Sequence, residues 1–136
     1  MKNKVISPLE ILRKPAILTC IIMEGCIFCK IIRREIPAKI VADSSKVFAF
    51  YDVNPQAPVH ILIIPKEHIA SVLDVQGSHG DLLKDMVLTA QALAKSEGVD
   101  QTGFRLVFNC GKDAGQAVDH LHLHLLGKRR LGWPPG

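Results

Sequence analysis

Three histidines alternate with leucine at His120-Leu121-His122-Leu123-His124, with Leu125 and Leu126 following, and this spacing constrains the fold more than any other stretch. Side chains on a β-strand alternate between faces. An extended backbone therefore sends the three imidazoles to one side and Leu121, Leu123 and Leu125 to the other. On a helix, residues two apart are turned by roughly 200°, and the rings would not converge. The pattern predicts a strand with one face in a core and the other carrying groups that titrate near neutral pH. Three convergent imidazoles can divide the work of a reaction. One ring attacks an electrophile, a neighbour's N–H stabilises the charge that develops, and a third holds the attacker's tautomer. Two histidines at this spacing can instead reach one zinc ion, and a solvent-facing polar strand is the plainer alternative.

The rest of the chain supplies partners for such a strand. Ile27, Phe28, Ile31 and Ile32 form a short amphipathic stripe that ends before Pro37, and Leu82, Leu83, Met86, Val87, Ala90, Leu93 and Ala94 recur with the helical period between Gly77 and Gly98. Ile40-Val41, Val47–Tyr51, His60–Ile64 and Arg105–Phe108 read as strands, separated by turn-forming segments such as Asp43-Ser44-Ser45 and the loop from Asn109 to Ala117. The expected class is α+β: an antiparallel sheet of about five strands with one long and one short helix.

Composition narrows the function. The chain has 136 residues, 48% of them hydrophobic and 22% charged, which suits one globular domain. Its longest apolar stretch, Ala16 to Met23, falls far short of the ~20 residues that span a bilayer. A net charge of +4 is mild, and aromatic residues at 5% do not interleave with the basic ones, so a stacking platform for nucleic acid is disfavoured. Cys20 and Cys110 have no evident partners, and Cys26 and Cys29 are only three apart. Reduced thiols and a cytoplasmic location are expected. Residues 1–22 read as an extension, disordered or not translated in the cell, ahead of a domain spanning 23–136. Cys26-x-x-Cys29 leaves two readings open: packed or redox-active thiols, or half of a metal site.

The segment His120-Leu-His-Leu-His-Leu-Leu126 resembles the histidine-triad (HIT) signature, in which histidine and apolar residues alternate. The likeness extends through Cys26–Ala38, Asp52, Gln56–His60, Ile64–His68, Asn109, Ala114-Gly-Gln116 and Trp133-Pro-Pro-Gly136, and is strongest to the Hint branch of purine nucleoside phosphoramidases.

The resemblance implies a HIT-like fold and a hydrolase that cleaves purine nucleoside 5′-phosphoramidates or acyl-adenylates to the monophosphate through a nucleotidyl-histidine. His122 would be the nucleophile, His124 the phosphate partner and His120 the orienting residue. Asp52 would take the ribose, while Ile27, Phe28, Ile31, Val53 and Leu62 would form a purine slot. Asn109, Gly115, Gln116, Ala117 and Val118 would hold the phosphate, with Ala117 standing where the branch usually has Ser or Thr. A homodimer is implied, with Trp133 in a tail reaching toward the partner's site. No cofactor is required for catalysis, and a structural zinc would take Cys26, Cys29, His60 and His120. Two alternatives accompany this reading: a purine-nucleotide- or zinc-binding interaction protein with little turnover, and a dinucleoside polyphosphate hydrolase.

Overall fold

The computed structural model describes residues 25–136; the expected extension over residues 1–22 lies outside them. Helix α1 (Ile27–Ile32) is followed by strands β1 (Ile40–Asp43), β2 (Val47–Tyr51) and β3 (Val59–Pro65). Two 3-10 turns, Val72–Asp74 and Gly77–His79, lead into helix α2 (Gly80–Ser96), after which come β4 (Phe104–Phe108) and β5 (Leu123–Gly127). The five strands form one antiparallel sheet in the order β1-β2-β3-β5-β4. The expected class and helix content are therefore those observed, with the long helix preceded by a 3-10 turn at Gly77.

The period-two pattern decides which side of the sheet each residue occupies. Val47, Ala49, Ile61, Ile63, Leu123 and Leu125 face α2 and pack against its Leu82, Met86, Ala90, Leu93 and Ala94. Leu121, just ahead of β5, joins the same cluster. Burial of each large aliphatic side chain here is worth about 1.5–3 kcal/mol. The opposite face gathers Phe48, Phe50, Leu62 and Ile64 with Phe28 and Ile31 of α1. A short helix thus covers the second face without filling it.

Two local features hold the ends of this arrangement. Helix α1 is capped by the Cys26 side chain, which accepts from the Cys29 N–H, and it stops where Arg34 adopts a left-handed φ of 63°. Gly127 closes β5 beneath Val99, where an added Cβ would come within 2.6 Å of Val99 Cγ1. Only glycine allows that approach.

One expectation needs correction. β5 begins at Leu123, so His120 lies at the end of a bend, His122 in the segment just ahead of the strand, and only His124 within it. The side chains still alternate, with Leu121 in the core cluster and His120 and His122 beside Phe28, and the Leu121 N–H ties this segment to the Ile69 carbonyl at 2.6 Å.

Candidate active site

β3 and β5 lie side by side with Leu62 opposite His124 and His60 opposite Leu126. His60 and His124 are therefore diagonal neighbours on one face, and their ring centroids are 5.2 Å apart. His122 follows on the same side, 4.9 Å from the His124 ring and edge-on to Phe28 at 5.2 Å. His60 and His122 are buried and His124 half-buried. The three rings meet at the floor of a pocket of about 600 Å³.

Hydrogen bonds set the tautomer of each ring, because a backbone N–H can only donate and a carbonyl can only accept. The Gln56 N–H donates to His60 Nδ1 at 3.0 Å, so the His60 proton sits on Nε2. That Nε2–H faces His124 Nδ1 at 2.9 Å and the Asp52 carboxylate at 3.4 Å. His124 Nδ1 must accept, which leaves the His124 proton on Nε2. This nitrogen is buried and has no hydrogen-bond partner among the described residues. His122 is arranged in the opposite sense: its Nδ1–H donates to the His120 carbonyl at 2.6 Å, leaving Nε2 with a free lone pair. A ring with an unprotonated Nε2 thus stands beside a ring whose Nε2–H has no partner among the described residues, their centroids 4.9 Å apart.

Electrostatics keeps the donor neutral. Burial, helped by the neighbouring His122 and His60, pushes the His124 pKa down to about 4 against a contribution from Asp52. Burial also lowers His60, and Asp52 opposes it.

Most of the residues expected in a nucleotide site line this pocket. Ile27, Phe28, Ile31, Val53 and Leu62 form its apolar part. Asp52, Asn109, Gly115, Ala117 and Val118 stand around it. Gly115 takes a left-handed φ of 77°, which a larger residue would resist. Two expected residues are elsewhere. Gln116 braces the loop, donating to the carbonyls of Ala70 and Val118 and accepting the Gly111 N–H. Trp133 lies outside its own chain's pocket and is 84% exposed. Ile36, Pro37, Ala38, Phe50, Asn54 and Gln56 also line the pocket and were not anticipated. Their β-strand and turn composition carries no signal of a ligand, although Gln56 precedes His60 in the quoted stretch.

A second cluster lies behind His122. Ligand atoms of Cys26, Cys29, His68 and His120 all fall within 4.8 Å of one another. His60, expected as a member, is excluded because both its nitrogens are engaged in the chain from Gln56 to His124. His68 takes the fourth corner, with Nδ1 at 3.4 Å from Cys29 Sγ. It stood in the sequence three residues after Pro65, but only the return of the chain beside Ile69 brings it to His120. The set suits a metal ion in its chemistry as well as its spacing. His120 donates Nε2–H to the Pro65 carbonyl at 2.8 Å, so its Nδ1 lone pair faces Cys26 Sγ at 3.4 Å and Cys29 Sγ at 3.7 Å. Burial lowers the pKa of His120 to about 4 and also lowers that of His68, so protons compete weakly for both nitrogens. Two thiols and two imidazoles are a tetrahedral zinc donor set.

Comparison with known proteins agrees with this geometry. The HIT domain family model matches residues 33–131. A purine nucleoside phosphoramidase of Escherichia coli strain K12 is 50% identical over 109 residues, covering 80% of this chain and 92% of that protein. A 14 kDa zinc-binding protein of Brassica juncea is 46% identical over 112 residues, covering 81% of this chain and 98% of its own length. Among solved structures, a HIT family hydrolase from Legionella pneumophila superposes with a TM-score of 0.80 at 50% identity, covering 82% of this chain and 99% of that one. The chain belongs to the HIT family, as a nucleotide hydrolase or nucleotide-binding protein. Within that family its likeness to the phosphoramidase spans nearly the whole of the described domain.

Proposed function

We propose that this chain hydrolyses purine nucleoside 5′-phosphoramidates, or the related acyl-adenylates, through a nucleotide bound covalently to His122. The observation that carries the reading is the matched pair of rings, with the His122 Nε2 lone pair beside an unused His124 Nε2–H. His122 Nε2 attacks the α-phosphorus, the bond to the amine or acid breaks, and water then cleaves the phosphorus–nitrogen bond to His122 to release the monophosphate. The His124 Nε2–H stabilises charge on the phosphoryl oxygen. The His120 carbonyl keeps His122 in the attacking tautomer, while His60 does the same for His124. Ile27, Phe28, Ile31, Val53 and Leu62 receive the purine. Asp52, whose Oδ1 already accepts the Asn54 N–H at 2.8 Å, offers its carboxylate to the ribose hydroxyls. Asn109 and the loop from Gly115 to Val118 hold the phosphate.

The similarity to a zinc-binding relative and the donor set support zinc on Cys26, Cys29, His68 and His120. Bound there, it ties α1 to the histidine segment. A homodimer is supported by the sheet edge at β4, where Phe104, Leu106 and Phe108 are exposed along a strand paired on one side only, with β5.

Incubation with an adenosine phosphoramidate tests the reading. AMP release that disappears in His122→Ala supports it, and equal release by both proteins overturns it. Ala117 lines the pocket without a hydroxyl, which favours a second reading as a nucleotide-binding protein with little turnover. AMP binding without hydrolysis, and no gain in Ala117→Ser, would select that alternative.

A further inference from the structure

We infer that the Cys26/Cys29/His68/His120 cluster, when it holds zinc, positions His122 and the base wall of the pocket, so that zinc and purine nucleotide bind cooperatively. The inference rests on the proposed metal and nucleotide sites, and joins them through three contacts.

His120 takes part in both. Its Nδ1 faces the two thiols, its Nε2–H is held by the Pro65 carbonyl, and its own carbonyl receives the His122 Nδ1–H. Fixing the His120 ring from both nitrogens fixes the backbone on which the tautomer of His122 depends. A second route runs through Phe28, which stands between the two cysteines in sequence. Its ring is edge-on to His120 at 5.8 Å and to His122 at 5.2 Å. The third is a shared wall: a cavity of about 510 Å³ beside Cys26 and His68 is lined by Ile27, Ala117 and Val118, which also line the active-site pocket. Helix α1 has only six residues, too few to hold its place by helical propensity alone. The metal would anchor both Cys26 at its N-cap and Cys29 within it.

Linkage requires the two ligands to strengthen each other by one factor. The full chain is prepared free of metal with a chelator and then loaded with zinc. AMP binding is measured by calorimetry, and the ¹⁵N shifts of His122 are followed by NMR. AMP is expected to bind about tenfold more tightly to the loaded protein, and zinc is expected to sharpen the His122 signals to those of a ring protonated at Nδ1. If the chelated chain loses its far-UV spectrum, the reciprocal measurement on folded protein decides: a competing chelator should remove cobalt(II) about tenfold less readily when AMP is present. Equal AMP affinity in both forms, with His122 shifts that ignore the metal, overturns the inference, as does failure to take up zinc or cobalt. Unchanged cobalt retention with AMP present does so as well. Should neither form bind AMP, the nucleotide reading itself fails. The response of His122 to zinc then decides whether the cluster positions it.

Discussion

His120 and His124 are four residues apart, and burial lowers the pKa of each to about 4, yet their surroundings differ in one decisive respect. Both His120 nitrogens face partners, the thiols at one side and the Pro65 carbonyl at the other. His124 has a partner at Nδ1 only, and its buried Nε2 has none. A buried donor left unpaired costs about 1–3 kcal/mol. His124 lines the pocket, and under the proposed mechanism a phosphoryl oxygen would offset that cost, whereas His120 in the cluster behind carries no such penalty. Burial and depressed basicity are thus common to both histidines, and what separates them is the hydrogen bonding at Nε2.

Removing the proposed nucleophile should give the largest effect. His122→Ala is expected to lower AMP release by at least about 10³-fold, measured under single-turnover conditions. Trapping of a nucleotidyl-protein by mass spectrometry should fail in this variant. Next comes the unpaired donor: His124→Ala should reduce kcat by about 10²–10³-fold with little change in AMP affinity. A loss confined to KM would mean that His124 only binds, and would break the contrast with His120.

A smaller effect is expected one step further out. His60→Gln removes the ring Nε2–H that holds His124 without enlarging the side chain, and should cost about 10- to 100-fold in kcat by releasing the tautomer. No effect would show that His124 is held by something other than His60.

The smallest effect is on stability and depends on pH. His124 has a folded pKa of about 4 against an ordinary 6.5, so the unfolded chain binds its proton more readily. Its contribution is complete above pH 6.5 and is lost as pH falls toward 4. The fall in Tm over that window should be shallower in His124→Gln, and an identical slope would place the titration elsewhere.

The sheet was legible because its signals are local. Leu121, Leu123 and Leu125 needed only alternation to be assigned to the core, and Leu82, Met86, Ala90 and Leu93 needed only the helical period. Most of the pocket was legible through resemblance, including Asp52, Asn109 and Phe28. The failures share one cause. His60 lies in β3 and His68 three residues beyond its end, and nothing local distinguishes which of them meets Cys29. Gln116 had plausible chemistry, but loop closure turned it into a brace.

Sequence by itself determined that an extended segment would separate leucines from histidines, because the period of a strand is a property of the backbone. Tertiary structure decided what each histidine became. The Gln56 N–H and the His120 carbonyl assign protons on rings four and two residues away, whereas the Pro65 carbonyl reaches His120 across 55 residues and His60 reaches His124 across 64. These long-range partners meet only once the fold brings β3 beside the histidine segment, and no spacing along the chain encodes that.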